Sequence, residues 1–275
     1  MWCLIAISFF TWKISIASRI TQSEKKSIFD KIASVNETTE EAVGRIVGGR
    51  YATCEEFPHQ VSLVINNSFF CGGFIVSKRF ILTAAHCVKN ADPPNVIVSS
   101  GSTFHTNGTI LPLIEITIHP EYNKPIFEKD VAVMKTAKPI QFNSCTQPIK
   151  LPPKGLTLKS GIVITASGWG RTQRGAPQIL ERLMAVNLTV VNHMLCQVAY
   201  FVLDITKNML CADGDFFFGR ANTCEDDSGG VGAIDRIARG IVSFGRECGQ
   251  PLSPSVFTDI SAPDIRDFIT KHTGL

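Results

Sequence analysis

The chain has 275 residues and a formal net charge of +3 at pH 7, from 27 Lys and Arg against 24 Asp and Glu. Its 44% hydrophobic and 19% charged residues are typical of a globular protein with a sizeable core and exclude a disordered chain. The basic excess is too small and too scattered for a nucleic-acid-binding surface. The sequence also contains no run of about 20 apolar residues that would span a membrane.

The N-terminal part of the chain predicts two segments that precede the folded domain. Residues 1–17 predict a secretory signal peptide, because small residues follow the short apolar run Met1–Phe10. A buried N-terminal strand is the alternative. Residues 18–45 are polar, contain no Cys or Trp, and end on Arg45, after which the sequence changes abruptly to Ile-Val-Gly-Gly. We therefore expect a secreted protein whose folded domain occupies residues 46–275.

Short apolar runs of strand length recur from residue 60 onward, with turn clusters between them. Many short strands separated by Gly, Pro and Asn indicate an all-β sandwich or barrel. A helix is expected only at Ala262–Lys271, where Pro263 lies near the start and Gly274 follows the end. The predicted strand runs are Gln60–Ile65, Phe74–Val76, Phe80–Ala84, Asn95–Val98, Ile110–Ile118, Val131–Met134, Ile162–Ala166, Met184–Val191 and Gly240–Phe244.

The cysteines support the expectation of a secreted protein. Nine occur, and Cys3 lies in the predicted signal peptide, so that an even number remains for disulfides. Metal binding is the alternative, but there is no Cys-x-x-Cys pair and the six His do not cluster with the cysteines. We expect four disulfides, no metal and no cofactor. The eight remaining residues are Cys54, Cys71, Cys87, Cys145, Cys196, Cys211, Cys224 and Cys248.

Three separate segments carry side chains suited to nucleophilic catalysis. His86 follows a strand run, Asp130 stands at the start of another, and Ser228 lies in a turn with Gly229 and Gly230. A serine hydroxyl is a poor nucleophile until a base takes its proton, and that base needs an acid to fix its tautomer. Each segment alone is more often structural. Together, in the order His, Asp, Ser, they indicate a catalytic site.

These residues belong to longer motifs, namely Arg45-Ile-Val-Gly-Gly, Cys71-Gly-Gly, Thr-Ala-Ala-His86-Cys87, Asp130-Val-Ala-Val, Gly168-Trp169-Gly170, Asp227-Ser228-Gly-Gly and Ile241-Val-Ser-Phe-Gly245. With them the chain resembles the trypsin/chymotrypsin-like serine proteases from Ile46 to about Ile269. The resemblance implies an all-β fold of two antiparallel six-stranded Greek-key barrels. They are expected over about 60–145 and 155–262, with a short C-terminal helix over about 262–271.

The resemblance also implies a role for each residue of the site. His86 would act as general base and acid, Asp130 would orient it, and Ser228 would attack the scissile carbonyl. The backbone N–H groups of Asp226 and Ser228 would form the oxyanion hole. The expected substrates are proteins or peptides, and serpins or other protease inhibitors are expected partners. We expect a monomer with no nucleic-acid or membrane partner.

Activation is implied by the same motifs. A trypsin-like activating protease would cleave after Arg45, and the new α-amino group of Ile46 would pair with Asp227. The charged partner of Asp227 would not exist before that cleavage. Because the prosegment 18–45 contains no cysteine, it would be released and not tethered.

The resemblance implies three of the disulfides, Cys71–Cys87, Cys196–Cys211 and Cys224–Cys248. Cys54 and Cys145 remain and by elimination are expected to pair. A further bridge of the family is absent at both ends, since Ile164 and Ile234 stand where its cysteines would be.

The sequence departs from the family pattern beside the nucleophile. Where the family has glycine two residues before the serine, this chain has Asp226. The change adds a β-carbon and a carboxylate near developing negative charge, which is electrostatically unfavourable. Because the loss of one oxyanion-hole donor costs roughly 2.7–4 kcal/mol, weak or narrow activity is expected.

The primary specificity pocket also departs from the pattern of trypsins. Asn222 replaces the aspartate at its base, Ser255 replaces a wall glycine, and Phe244 replaces the usual cleft tryptophan. A buried cation without a partner costs several kcal/mol, so we expect neutral residues of small to medium size, not Arg or Lys, before the scissile bond. The predicted pocket residues are Asn222, Thr223, Ser243, Phe244, Gly245 and Ser255.

Two surface features complete the expectations. The stretch that matches the calcium loop of trypsins, Gly101–Thr109, contains no acidic residue, so no calcium site is expected. N-glycosylation sequons are present at Asn36, Asn66, Asn107 and Asn187.

Three functions remain open at this point. The first is a secreted serine endopeptidase activated by cleavage after Arg45. The second is a protease homologue that keeps the fold but acts as a binding or regulatory protein, because of Asp226. An inert structural domain held by disulfides is the third, and it leaves the catalytic residues unexplained.

Overall fold

The structure is a computed structural model that describes residues 49–65, 69–171, 180–217, 222–224, 226–246 and 248–275. The expected signal peptide, prosegment and activation site, together with Asn36 and Asn66, lie outside these residues. Within the described part, no helix is long and apolar enough to cross a membrane.

The described residues form fourteen strands, three short α-helices and one 3₁₀ turn at Pro93–Asn95. The strands are β1 Arg50–Tyr51, β2 Gln60–Ile65, β3 Phe69–Ile75, β4 Phe80–Thr83, β5 Val96–Ser100, β6 Thr109–Ile110, β7 Leu113–Ile118, β8 Ala132–Thr136, β9 Val163–Gly168, β10 Met184–Val190, β11 Met209–Asp213, β12 Val231–Ile234, β13 Ile237–Phe244 and β14 Ser255–Asp259. The helices are α1 Ala85–Val88, α2 His193–Ala199 and α3 Pro263–Thr273.

The strands form two antiparallel sheets. The N-terminal sheet has the order β6-β5-β2-β3-β4-β8-β7 and is curled into a half-barrel. In the C-terminal sheet, β9 pairs with both β10 and β12, which closes β10-β11-β14-β13-β12-β9 into a six-stranded barrel with β1 attached to β10. The predicted all-β, trypsin-like fold class is therefore confirmed, with one barrel closed and the other half open.

Each sheet contributes an apolar core, and the core of the N-terminal sheet extends onto β12, β13 and α3. Leu63, Phe74 and Met134 are fully buried in the N-terminal core. In the closed barrel, Phe257 fills the interior beside Gly240, where an added β-carbon would lie 2.7 Å from the β-carbon of Phe257. Ile164 is fully buried in the same core and Ile234 packs against it, so apolar packing occupies the place of the missing bridge.

Several elements differ from the sequence-based expectation. The expectation of a helix only at the C-terminus is wrong, because α2 also forms. Asn192 caps α2 by accepting a hydrogen bond from the N–H of Met194 at 2.9 Å. The helix exposes apolar side chains such as Met194, 74% exposed, and therefore lacks the polar outer face that reveals helical periodicity. Strands β11 and β14 were also missed, because their short segments mix apolar and polar residues that are buried together. Strand β12 was missed because it has only four residues and contains Gly232.

Candidate active site

The histidine and the aspartate form a hydrogen-bonded pair. His86 lies in α1, directly after β4, and Asp130 lies just before β8. The Nδ1 atom of His86 is 2.7 Å from Oδ2 of Asp130, and the backbone N–H of His86 donates to Oδ1 at 2.8 Å. Asp130 is fully buried, whereas 20% of the His86 side chain is exposed. Oδ2 of Asp130 therefore holds the ring and Oδ1 holds the backbone of the same residue, while Nε2 of the ring lies 3.7 Å from Sγ of Cys87.

Residues of the closed barrel complete the environment of Asp130. The hydroxyl of Ser243 on β13 donates to Oδ2 of Asp130 at 2.6 Å. The hydroxyl of Thr258 on β14 donates to the backbone carbonyl of Asp130 at 3.0 Å. The carboxylate therefore lies where the two sheets meet. Ser243 was predicted only as a pocket residue, and no local sequence signal points to Thr258.

The serine turn packs against the N-terminal sheet. The N–H of Gly72 on β3 donates to the carbonyl of Ser228 at 2.7 Å. Gly229 has a φ of +81°, and a β-carbon there would lie 2.2 Å from Oγ1 of Thr83, so that only glycine fits. Sγ of Cys87, the neighbour of His86, lies 3.7 Å from the carbonyl oxygen of Ser228. Ser228 is thus brought beside His86, although no hydrogen bond joins its Oγ to the ring among the described residues.

Asp226 adopts a left-handed backbone conformation with a φ of +71°. Its Oδ2 accepts a hydrogen bond from Nε of Arg171 at 2.6 Å, and the two side chains are 12% and 29% exposed. The expected unfavourable carboxylate is thus paired within the chain. Arg171 directly follows the Gly168-Trp169-Gly170 motif, which was the signal that could have identified it. In the part of the chain that the structure describes, the N–H groups of Asp226 and Ser228 donate to no protein acceptor.

The next residue, Asp227, is buried. Its Oδ1 accepts from the N–H of Gly170 at 2.8 Å and its Oδ2 from the N–H of Cys224 at 3.0 Å. Burial raises the pKa of Asp227 to about 7, because the two N–H donors only partly offset the loss of hydration and the nearby Asp226 adds to the rise. A β-carbon on Gly168 would lie 2.2 Å from Oδ1, so this motif makes room for the carboxylate. Ile46, its expected partner, lies outside the described residues.

The predicted base of the specificity pocket is a closed, uncharged network. Nδ2 of Asn222 donates to the carbonyl of Ser253 at 2.8 Å, while its Oδ1 accepts from the N–H of Thr223 at 2.9 Å and from the hydroxyl of Ser255. The hydroxyls of Thr223 and Ser255 also share a hydrogen bond. Asn222 and Ser255 are each 1% exposed. The polar groups here satisfy one another and supply no negative charge.

An aromatic group lies beside this network. The ring of Phe244 stacks on Phe127 with centroids 4.5 Å apart and meets Tyr200 edge-on at 5.6 Å. Gly245 follows and is exposed, and a β-carbon there would touch nothing within 4 Å. The sequence analysis had singled out Phe244 and Gly245 but neither Phe127 nor Tyr200.

Four disulfides support these elements, and they are the expected pairs. Cys71–Cys87 joins β3 to α1, and Cys196–Cys211 joins α2 to β11. Cys224–Cys248 joins the loop that carries Ser228, here called the serine loop, to the segment after β13. Cys54–Cys145 joins residues 91 positions apart. Of the sequons within the described residues, Asn107 and Asn187 are both exposed.

This fold and site define a class of protein, and comparison with known proteins identifies the same class. The family model described as Trypsin matches residues 46–269, and the chain belongs to this family of trypsin/chymotrypsin-like serine proteases. A protease function and hydrolase chemistry follow from this membership at the level of the family. Members of the family act on protein substrates and are typically secreted.

Particular relatives illustrate the range of the family. A trypsin of Phaedon cochleariae is 35% identical over 233 residues, covering 84% of this chain and 89% of its own length. Trypsin Tyr p 3.0101 of Tyrophagus putrescentiae is 37% identical over 223 residues, covering 79% of this chain and 77% of its own. Among solved structures, the scabies mite inactivated protease paralogue S-D1 superposes with a TM-score of 0.76 at 26% identity, over 83% of this chain and 98% of its own. The chain is therefore similar both to trypsins and to a paralogue described as inactivated.

Proposed function

We propose that this protein is a secreted serine endopeptidase that is made as a zymogen and activated by cleavage after Arg45. The observation that carries the proposal is the buried carboxylate of Asp130, which holds His86 Nδ1 at 2.7 Å beside the Ser228 turn.

In the proposed reaction, Nε2 of His86 takes the proton of the Ser228 hydroxyl as its Oγ attacks the scissile carbonyl. The carbonyl oxygen becomes an oxyanion, which the N–H groups of Asp226 and Ser228 stabilise. His86 then gives the proton to the leaving amine, so that the peptide bond breaks and an acyl-enzyme remains. A water molecule, activated by the same ring, hydrolyses the acyl-enzyme and restores Ser228. Asp130 stays ionised and keeps the Nδ1–H tautomer in place.

The buried carboxylate of Asp227 supports the activation step. Burial raises its pKa to about 7, so the ionised form is poorly stabilised by the N–H groups of Gly170 and Cys224 alone. An α-amino group on Ile46 would supply the missing positive charge and favour the carboxylate form. Cleavage after Arg45 by a trypsin-like protease would create that group and order the serine loop around it.

The uncharged pocket base supports a preference for neutral residues before the scissile bond. Asn222, Thr223 and Ser255 already hydrogen-bond to one another or to the Ser253 carbonyl, so a Lys or Arg side chain would find no anionic partner there. The Ser255 side chain, in place of a glycine in the pocket wall, also narrows the specificity pocket. We propose that small to medium neutral side chains are accepted, with Leu and Met among them.

A second function is favoured by a specific observation. Asp226 stands where the family has the glycine of the oxyanion hole, and no hydrogen bond joins Ser228 Oγ to the His86 ring among the described residues. A protein of this kind could bind partners while turning over little substrate, in the manner of a regulatory homologue. The similar S-D1 paralogue is described as inactivated, which supports this second function.

Labelling by a fluorophosphonate probe separates the two functions. The probe is added to the secreted protein after cleavage at Arg45, with Ser228→Ala as the matched control and uncleaved Arg45→Gln as the zymogen control. An endopeptidase labels only in the cleaved wild type, and its new N-terminus reads Ile46. Equal lack of labelling in all three samples contradicts the endopeptidase and leaves the regulatory homologue.

A further inference from the structure

The serine loop carries an ion pair that the family pattern does not contain. Oδ2 of Asp226 accepts from Nε of Arg171 at 2.6 Å across 55 positions of sequence. Both side chains are partly buried, at 12% and 29% exposed, so the pair is screened less than an ion pair in open solvent.

The same short segment holds two consecutive acids. The N–H of Gly170 donates to Asp227 at 2.8 Å, and the next residue, Arg171, donates to Asp226. Both carboxylates therefore contact the segment Gly170–Arg171. Asp227 accepts from a backbone N–H of this segment, and Asp226 accepts from the Arg171 guanidinium. This contact fixes the orientation of the peptide units on either side of Asp226, one of which supplies an expected oxyanion-hole donor.

The backbone at Asp226 needs such a contact. Its φ of +71° lies in the left-handed region that glycine adopts freely and that costs energy for residues with a β-carbon. Aspartate tolerates this region when its side chain finds a local partner. Arg171 is that partner, and its positive charge also offsets the carboxylate next to the site where negative charge develops.

We propose that Arg171 is a positioning residue for the oxyanion hole, acting through Asp226. It holds the loop in the left-handed conformation and neutralises the Asp226 carboxylate, so that the N–H groups of Asp226 and Ser228 can stabilise the transition state. This inference rests on the endopeptidase function proposed above.

A double-mutant cycle tests the proposal in the Arg45-cleaved enzyme with a neutral peptide amide. Arg171→Ala is expected to lower kcat about tenfold with KM changed less than about twofold, because the transition state gains charge that the substrate lacks. Arg171→Lys keeps the charge but loses the planar guanidinium, so its kcat is expected to lie between those of the wild type and of Arg171→Ala. In an Asp226→Gly background, Arg171→Ala is expected to change kcat less than about twofold, because no carboxylate remains to be held.

The matched control is Arg182→Ala, since Arg182 is exposed and lies over the ring of Tyr51, 4.8 Å from its centroid. It is expected to leave kcat unchanged. A tenfold loss from Arg171→Ala in both backgrounds, or no loss in either, overturns the inference while the enzyme remains active. A cleaved wild type that neither turns over nor labels instead contradicts the proposed function, and the inference with it.

Discussion

The two halves of the candidate site are built differently. On the His86 side, the residues match the family motifs, and Asp130 is held by the His86 ring, a backbone N–H and the Ser243 hydroxyl. On the side of the serine loop, the sequence departs from that pattern at Asp226 and Asn222. The first half keeps the residues of the family motifs. The second half has different residues at two positions, and other side chains or backbone groups of the chain hydrogen-bond to them.

The comparison shows how a departure is accommodated. Asp226 is paired with Arg171, and Asn222 is bonded to Ser253 and Ser255, so neither polar replacement is left unsatisfied. A decaying site would accumulate polar groups without partners, which are costly when buried. The loop therefore accommodates both replacements without leaving a buried polar group unpaired at Asp226 or Asn222. The expectations that follow test each half in turn.

The largest effect is expected on the His86 side. Asp130→Asn should lower kcat by about 10⁴-fold, the loss known for this change in a Ser-His-Asp triad, because an amide no longer fixes the Nδ1–H tautomer. Steady-state kinetics on the cleaved enzyme measure it, with the exposed Asp204→Asn as control. A loss of less than about tenfold would show that His86 does not work through Asp130.

The second effect concerns the pocket base. Asn222→Asp should raise the ratio of kcat/KM for Arg over Leu before the scissile bond by roughly 10²-fold, because a carboxylate supplies the missing partner for a buried cation. The matched control is Asn192→Asp, since aspartate caps a helix as well as asparagine. A wild type that already cleaves mainly after Arg or Lys in a peptide library would refute the proposed pocket.

The third effect is on the pH dependence of stability and concerns Asp213, which, unlike Asp130 and Asp226, lacks a full set of hydrogen-bond partners among the described residues. Asp213 is 1% exposed, its Oδ2 has no hydrogen-bond partner among the described residues, and burial raises its pKa to about 6. Because the folded state holds the proton more tightly than the unfolded state, this group lowers stability as pH rises from about 4 to 6, and the full cost is present above that range. The carboxylate thus acts in the sense opposite to a salt-bridged acid.

Asp213→Asn should therefore raise the free energy of unfolding by about 2 kcal/mol near pH 8 and change it little near pH 4. Urea unfolding at the two pH values measures the difference, with Asp204→Asn, at an exposed aspartate, as the control. A gain of equal size at both pH values would mean that ionisation is not the cause.

The smallest effect is expected at Asp226. Asp226→Gly should raise kcat on neutral substrates by no more than about threefold, because Arg171 already offsets most of the carboxylate charge. A rise of more than tenfold would mean that the ion pair does not shield the oxyanion hole. No rise at all would show that the carboxylate does not oppose the reaction.

Local patterns were sufficient for part of the fold. The apolar runs at Gln60–Ile65 and Phe80–Ala84 coincide with β2 and β4 within one residue, because most side chains of these buried strands are apolar. Strand β14 was missed, since its Ser255 and Thr258 are buried by hydrogen bonds to distant residues and not by apolar contact. Its burial depends on partners that a local pattern does not contain.

The amino-acid sequence by itself determined the family and the residue types of the site, because these are properties of its motifs. The resemblance to that family then implied three of the cysteine pairs and left the fourth by elimination. Only the tertiary structure decided what the departures do. Whether the Asp226 carboxylate repels an oxyanion or pairs with a cation depends on where Arg171, 55 residues away, is brought by the fold. Charges interact through distance in space, which a linear sequence leaves open until the chain is packed.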